Sequence, residues 1–330
     1  MTSPWIEKQA QQLLSQRGHA WLLQGPSGLG QYELALSLAS AWLCEQPTAM
    51  GACGHCASCH AIQVRTHADL AVLMPETQMV ALGWPLSEKA QSEIDDKKRK
   101  PSKEIRVEAM RDVVEFAQRT DARGRGKAVL VFPAERMNAV TANALLKTLE
   151  EPPGDVRFVL ASEAAHQLLP TIRSRCQTHT MAWPDSAQSL SWLAAQGMDP
   201  PVAEALLRSA GGRPNDAIQQ SGAGLSPAWW AALPKAMQQG DAGHLSELSP
   251  ALAIDALQKL CHDLVLHRSG AQPRFFLASQ LPACSASVGT LTDWFKRLMQ
   301  SARTAEHPFN AGLMLEALAN DAQQALTARA

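Results

Sequence analysis

The chain has 330 residues, more than one hydrophobic core usually organises, so two or three domains are expected. Only 18% of residues are charged and the formal net charge is −1, which excludes the electrostatic footprint of a tight, independent nucleic-acid binder. Hydrophobic residues make up 46%, yet no apolar run approaches the ~18–20 residues of a membrane span, and Met1-Thr2-Ser3-Pro4-Trp5 has neither the basic nor the apolar region of a secretory signal. A cytoplasmic, reducing location with no membrane partner is the expectation.

A helical run over residues 4–16 precedes a short apolar strand, 20–23, and then Gly25-Pro26-Ser27-Gly28-Leu29-Gly30-Gln31-Tyr32. This is the frame of a phosphate-binding loop, G-x-x-x-x-G-K-[ST], with its two chemical positions changed. In a working loop the lysine neutralises the β/γ-phosphates and the hydroxyl coordinates Mg²⁺. Here those positions hold Gln31 and Tyr32, while Gly25, Gly28 and Gly30 keep the backbone frame. The loop is therefore read as vestigial, and no ATP is expected as a cofactor.

A helix over 31–43 follows, and four of the chain's seven cysteines come next. Cys44, Cys53, Cys56 and Cys59 supply four thiolates in the pattern C-x₈-C-x₂-C-x₂-C. In a reducing compartment that spacing points to a closed, tetrahedral, structural Zn²⁺ site rather than to disulfides. His55 and His60 lie among them and are alternative ligands, although four cysteines already complete the set. Cys176, Cys261 and Cys284 are far apart and read as packed or surface thiols.

Strands at 70–73, 128–132 and 158–161 alternate with helices at 105–120 and 139–151, the last stopped by Pro152-Pro153. That alternation is the signature of an α/β doubly wound, mostly parallel sheet. Residues 79–103 interrupt it with polar sequence ending in Asp95-Asp96-Lys97-Lys98-Arg99-Lys100, read as a solvated, mobile loop. An NTPase should end its second apolar strand in acidic residues that hold Mg²⁺. After Val131 this chain has Phe132 and Pro133 instead, and Glu135, the nearest carboxylate, reads as a surface residue at a helix entry.

Asn143-Ala144-Leu145-Leu146-Lys147-Thr148-Leu149-Glu150-Glu151-Pro152-Pro153, then Phe158-Val159-Leu160-Ala161 and Thr171-Ile172-Arg173-Ser174-Arg175-Cys176, resembles the AAA+ subunits of DNA-sliding-clamp loaders. The cysteine cluster, the altered loop and the missing acidic pair are similar to the members of the bacterial DNA polymerase III clamp loader that do not hydrolyse ATP. The resemblance implies an AAA+ domain with a RecA-like sheet over residues 1–182, a small helical lid over 183–223 and an all-α collar over 224–330. It places an arginine finger, donated to a neighbouring subunit's ATP site, on Arg175 rather than Arg173. A guanidinium supplied in this way stabilises the transferring phosphoryl by roughly 10³–10⁵ in rate.

After residue 182 helical periodicity takes over, with helices at 186–196, 201–210 and 215–220. In ATP-binding relatives an arginine in the turn before the third helix senses nucleotide; the corresponding position here holds Asn215, with Arg213 close by. Farther on, Ile254, Leu257, Leu260, Cys261, Leu264 and Val265 follow helical spacing, as do Val288, Leu291, Trp294, Phe295, Leu298 and Met299, and both stripes are read first as core. His307-Pro308-Phe309-Asn310 opening a leucine-rich helix resembles the end of the family's collar domain.

The resemblance thus implies a non-catalytic subunit that helps load the sliding clamp onto primed DNA, with ATP-binding paralogues and a clamp-opening subunit as partners. Two rival classes remain open on sequence. One is a divergent AAA+ ATPase acting on DNA in its own right, with Gln31 touching phosphate. The other is a stand-alone zinc-loop DNA-binding protein, which the near-neutral charge and the lack of a basic, aromatic groove oppose.

Overall fold

A computed structural model describes residues 3–305, 307 and 310–328. The chain divides into two units, Met1–Pro184 and Asp185–Ala330. In the first, the order is α1 (Pro4–Leu14), β1 (Ala20–Gln24), α2 (Gln31–Leu43), α3 (Ala57–Gln63), β2 (Leu70–Leu73), α4 (Glu76–Ala81) and α5 (Glu88–Asp95). Then come α6 (Val107–Gln118), β3 (Lys127–Val131), α7 (Ala139–Glu150), β4 (Val156–Ser162), α8 (Pro170–Arg173) and β5 (Gln177–Thr180).

The five strands form one parallel sheet in the order β2-β3-β4-β1-β5, the α/β doubly wound AAA+ architecture expected from sequence. Strands covered by helices on both faces can be apolar throughout. Every residue of β3 is buried, and its side chains alternate between faces. Val129 and Val131 join Met110, Val113, Leu145 and Leu149 from α6 and α7, whereas Ala128 packs with Ala39 and Leu43 of α2 and Ile62 of α3. The chain leaves β1 across β4 and β3 to reach β2, but leaves β4 in the opposite direction to reach β5. That reversal puts the carboxyl ends of β1 and β4 at the topological switch point, where open α/β sheets hold their ligands.

Three features depart from the sequence expectations. β5 is an additional edge strand; its sequence Gln177-Thr178-His179-Thr180 is polar and largely exposed, so it carries no hydrophobic period. The 79–103 segment is not a loose loop, for it contains part of α4 and all of α5. Its base is stapled by the buried Glu76 carboxylate, which accepts from Arg99 Nη2 at 2.7 Å and from the Ser102 backbone N–H at 2.8 Å. Arg99, the third member of the basic run, therefore points inward, where its Nε also reaches Glu93 at 2.7 Å. Finally, Glu135 sits half-buried in a short 3₁₀ turn and accepts from Ser162 Oγ at 2.7 Å and from the Glu163 N–H at 3.1 Å. It ties the end of β3 to the end of β4 instead of facing solvent.

The second unit is helical: α9 (Ser186–Ala195), α10 (Pro200–Ser209), α11 (Pro214–Gly222), α12 (Pro227–Gln239), α13 (Pro250–Arg268), α14 (Val288–Thr304) and α15 (Ala311–Thr327). Helix starts carry the expected caps: Ser226, Ser249, Ser287 and Asn310 each accept a first-turn N–H. One continuous core runs from Leu193 to Leu326, with Trp294 fully enclosed. On α14 only Leu291, Trp294 and Leu298 of the predicted stripe are buried. Val288 and Met299 lie exposed and Phe295 is half-buried, because the apolar arc is wider than the surface its neighbours cover. Pro308 and Phe309 of the predicted collar signature lie outside the described residues.

Candidate functional site

The altered loop lies at the carboxyl end of β1, where Gly25 donates to the Ser162 carbonyl at the end of β4. Gly30 caps α2 in the left-handed region, φ 93°, and a Cβ there would sit 2.8 Å from Ile6 Cδ1, so only glycine fits. Trp5 of α1 pins the same turn by donating Nε1–H to the Leu29 carbonyl at 3.1 Å. The segment is thus a tight glycine turn that runs from the end of β1 into the first turn of α2.

Its interior is filled by the chain's own side chains. Gln31 is 2% exposed, and its Nε2 donates to the Gly25 carbonyl at 2.9 Å and the Pro26 carbonyl at 2.7 Å. The amide that stands in the lysine's place is uncharged and turned onto the loop it belongs to. Tyr32, in the place of the metal-binding hydroxyl, lays its ring against Phe132 with centroids 5.5 Å apart. The two positions at which a magnesium ion would find oxygen ligands therefore meet as an aromatic pair. The Tyr32 hydroxyl accepts from Trp84 Nε1 at 2.7 Å, and burial pushes its pKa above the usual tyrosine value. Sequence offers one signal for Trp84, a tryptophan between Gly83 and Pro85 in a segment read as solvated.

At the far end of α2 the four predicted cysteines converge. Cys44 follows the helix, Cys56 caps α3 and Cys59 lies in its first turn. Their sulfurs all lie within 4.8 Å of one another, with Sγ–Sγ separations of 3.7 Å (Cys44–Cys59), 3.8 Å (Cys44–Cys56) and 3.9 Å (Cys53–Cys59). Four sulfurs ~2.3 Å from a tetrahedral ion are spaced about 3.8 Å apart, so the donor set fits one such metal. The Cys53 N–H points at Cys44 Sγ and the Cys59 N–H at Cys56 Sγ, as expected of thiolates needing donors. Burial raises the Cys44 and Cys59 thiols, the latter to about 12. At Cys56 burial also acts upward, but the N–H groups of Cys59 and Glu45 outweigh it and hold the thiol down at about 6. Among the described residues no other group of His, Cys, Asp and Glu is placed to hold a metal. Neither histidine joins the cluster: His55 Nδ1 faces the Cys53 carbonyl at 2.9 Å and His60 is exposed.

A polar relay ties this cysteine module to the sheet. Ser58 donates to Glu45, the buried His67 ring meets Ser58 Oγ at 3.1 Å, and the Asp69 N–H donates to His67 Nδ1 at 3.0 Å. Because Nδ1 accepts, the proton sits on Nε2, and burial lowers the pKa of the ring. The tautomer is opposite to the one a base acting on Ser58 would need, so the relay is a structural link rather than a nucleophile dyad.

Arg175 follows α8, half-exposed. Its guanidinium donates to Glu150 Oε2 from Nη2 at 2.9 Å and from Nε at 3.2 Å, and to the Thr171 carbonyl at 3.1 Å. Arg173 is exposed. Cys176 packs on the core beneath, and burial pushes its thiol up to about 12, which fits an inert packed residue. In the second unit Arg213 pairs with Asp216 at 3.0 Å and donates to the Ala210 carbonyl, so this arginine is occupied within its own helix cap. No helix among the described residues is long and apolar enough to cross a membrane.

Comparison with known proteins places these features in a lineage. Residues 4–184 match the family described as "DNA polymerase III, delta subunit". The chain is 40% identical over 226 residues to the DNA polymerase III subunit delta' of Pseudomonas aeruginosa, covering 67% of this chain and 62% of that protein. It is 34% identical over 221 residues to the delta' subunit of Escherichia coli, covering 65% and 59%. A 165-residue stretch is also 34% identical to the E. coli DNA polymerase III subunit tau, covering 50% of this chain and 22% of tau. The matches thus span about three fifths of the delta' relatives' length.

Proposed function

The chain belongs to the DNA polymerase III delta-subunit family, and from that premise we propose that it is a clamp-loader subunit that neither binds nor hydrolyses ATP. The observation that carries this reading is the contact between Tyr32 and Phe132, which puts two aromatic rings where a magnesium–phosphate group needs oxygen ligands. Gln31 adds to it, because its side chain is spent on the Gly25 and Pro26 carbonyls and offers no positive charge to phosphate. The rival reading as an ATPase in its own right has no lysine, metal ligand or acidic strand end to work with.

Within the assembly the chain's chemical contribution is Arg175. It follows α8 at the surface, partly exposed and paired with Glu150, a placement that supports a contact with a neighbouring subunit's nucleotide. Its partners would be ATP-binding paralogues, a clamp-opening subunit, the sliding clamp and, inside the complex, primed DNA. The tau likeness supports partners of the same lineage. The second unit would act as a lid over 183–223 followed by a collar over 224–330. The exposed Val288 and Met299 on α14 are available to a neighbouring helix there. The cysteine cluster would hold one structural zinc ion.

Calorimetry with Mg-ATP tests the first claim: the isolated chain should give no measurable heat of binding at millimolar nucleotide. Micromolar, Mg²⁺-dependent binding would refute it. Co-purification with an ATP-binding paralogue and the clamp-opening subunit tests the second, and failure to assemble would remove the clamp-loader assignment.

A further inference from the structure

Four side chains from four separate segments make one continuous chain of contacts near the carboxyl ends of β1 and β3. The Arg65 guanidinium lies 5.5 Å from the Trp84 ring centre, Trp84 donates to the Tyr32 hydroxyl at 2.7 Å, and Tyr32 packs on Phe132. Trp84 is only 8% exposed, so its N–H needs an acceptor inside the protein, and Tyr32 is that acceptor.

The backbone around these contacts is arranged to permit them. Arg65 ends α3 with φ 63°, the left-handed position that glycine ordinarily takes after a helix, and its N–H and that of Thr66 bond back to the Ile62 and Ala61 carbonyls. A side chain in that region is strained, so an arginine there needs a compensating contact, and the face of Trp84 supplies it. Opposite, Gly83 has φ 69°, and a Cβ on it would come within 3.3 Å of Arg65 Nη1. The glycine leaves room for the guanidinium. The insertion that carries Trp84 is closed at its base by the Glu76 staple and by the Thr77 N–H bonded to the Ser102 carbonyl at 3.1 Å. A clasp at the base and these contacts farther along leave the insertion little freedom to swing away.

We propose that the linked contacts Arg65–Trp84–Tyr32–Phe132 are a built-in substitute for nucleotide: through Trp84 they latch residues 76–103 to the first turn of α2, next to the vestigial loop, and order the ends of β1 and β3 permanently. In a nucleotide-binding loop this ordering is conditional, because a ligand stabilises only the conformation that it binds. Here the same closure comes from intramolecular contacts at fixed, high effective concentration. The first unit then holds one conformation at every nucleotide level. The inference rests on the reading that the loop takes no ATP, and deepens it by assigning the substituted residues a positive task.

Hydrogen exchange of the full chain, resolved by peptide, tests this with three variants and one ligand. Trp84→Ala and Tyr32→Phe should each raise exchange of amides 26–33 and 77–96 by tenfold or more, with β4 and α7 unchanged as the control for folding. Arg65→Gly is the discriminating arm. A purely local role would make this substitution neutral or protective, since glycine relieves the backbone, whereas the latch requires faster exchange in 77–96. Mg-ATP should leave the unmodified chain's pattern as it is. Wild-type exchange in all three variants would overturn the latch alone, while ATP-dependent protection of residues 26–33 in the unmodified chain would overturn the nucleotide-free reading and the latch with it.

Discussion

Arg175 is held in the isolated chain by Glu150, through two hydrogen bonds from its guanidinium to the same carboxylate oxygen at 2.9 and 3.2 Å. Both residues are partly exposed, and such surface pairs contribute roughly 0.2–1 kcal/mol. The pair therefore pre-orients the arginine without trapping it. If Arg175 is the finger proposed above, a neighbour's polyphosphate, with its greater charge, would take the guanidinium over.

Arg175→Ala should leave folding and assembly intact and lower ATP turnover of the reconstituted complex, because a finger acts on the transition state. Only one of several ATP sites would lose its finger, so total ATPase falls partly while clamp loading falls further. Arg173→Ala is the control and should do less. Equal effects of the two, or wild-type loading by Arg175→Ala complexes, would remove the role assigned to Arg175. Glu150→Gln, which frees the arginine, should keep loading within about fivefold of wild type if the pair is worth no more than surface pairs usually are.

Metal analysis of protein purified without chelator should return one zinc per chain. Cys56→Ser should reduce that content severely, since it removes both a ligand and the thiol already held lowest by its N–H donors. The melting of the first unit's sheet should survive metal loss, because α3 also packs through Ile62 against Ala39, Leu43 and Ala128. Recovery of zinc-free, fully folded wild-type protein, or of a disulfide within the cluster, would contradict the assignment.

Glu76 supplies a pH test. Its burial acts to raise the carboxyl pKa, but the Arg99 guanidinium and the Ser102 N–H together outweigh that and bring it below the usual glutamate value. A depressed folded-state pKa means that stabilisation is fully present above the unfolded value of ~4.3 and is lost as pH falls through the lower folded value. Glu76→Gln should cost about 2 kcal/mol at pH 7, the size of a hydrogen bond to a charged partner. The gap between the two proteins in thermal unfolding should narrow steadily from pH 5 to pH 3. A gap that is constant over that range would mean the carboxylate charge is not what closes the insertion.

In the second unit Asp263 is fully buried and accepts three backbone N–H groups, from Arg274 at 3.0 Å, Phe275 at 2.7 Å and Phe276 at 2.8 Å. Asp263→Ala would leave those donors enclosed without partners and should destabilise this unit by about 3 kcal/mol or more. Chemical denaturation of the variant checks it; a loss below 1 kcal/mol would show that water replaces the carboxylate.

Much of this arrangement was legible in the sequence, for physical reasons that differ by element. β3 could be read because both of its faces are covered, which forces an unbroken apolar run; β5 could not, because an edge strand of Gln177, Thr178, His179 and Thr180 buries too little to leave a period. The cysteines were legible because a four-sulfur cluster needs one residue type at short spacing, and their sulfurs do converge. Arg99 looks like part of a solvated basic run, since sequence shows charge but not that a carboxylate 23 residues earlier turns it inward. Trp84 escaped for the same reason: its significance lies in a hydroxyl 52 positions away, a distance at which local pattern carries no information.

The Trp84–Tyr32 bond also bears on whether this loop could acquire nucleotide chemistry. Replacing Tyr32 by threonine, the first step toward a metal ligand, would strand a nearly enclosed indole N–H at a cost of about 1–3 kcal/mol and open a void beside Phe132. Replacing Gln31 by lysine first would put an unpaired charge among the Gly25 and Pro26 carbonyls with no acidic strand end to answer it. Each single change is thus less stable than the present protein, and none gains anything until several are combined. On the reading proposed above the loop sits behind a mutational ratchet, in which Gln31, Tyr32 and Phe132 each obstruct a single-step change toward nucleotide binding.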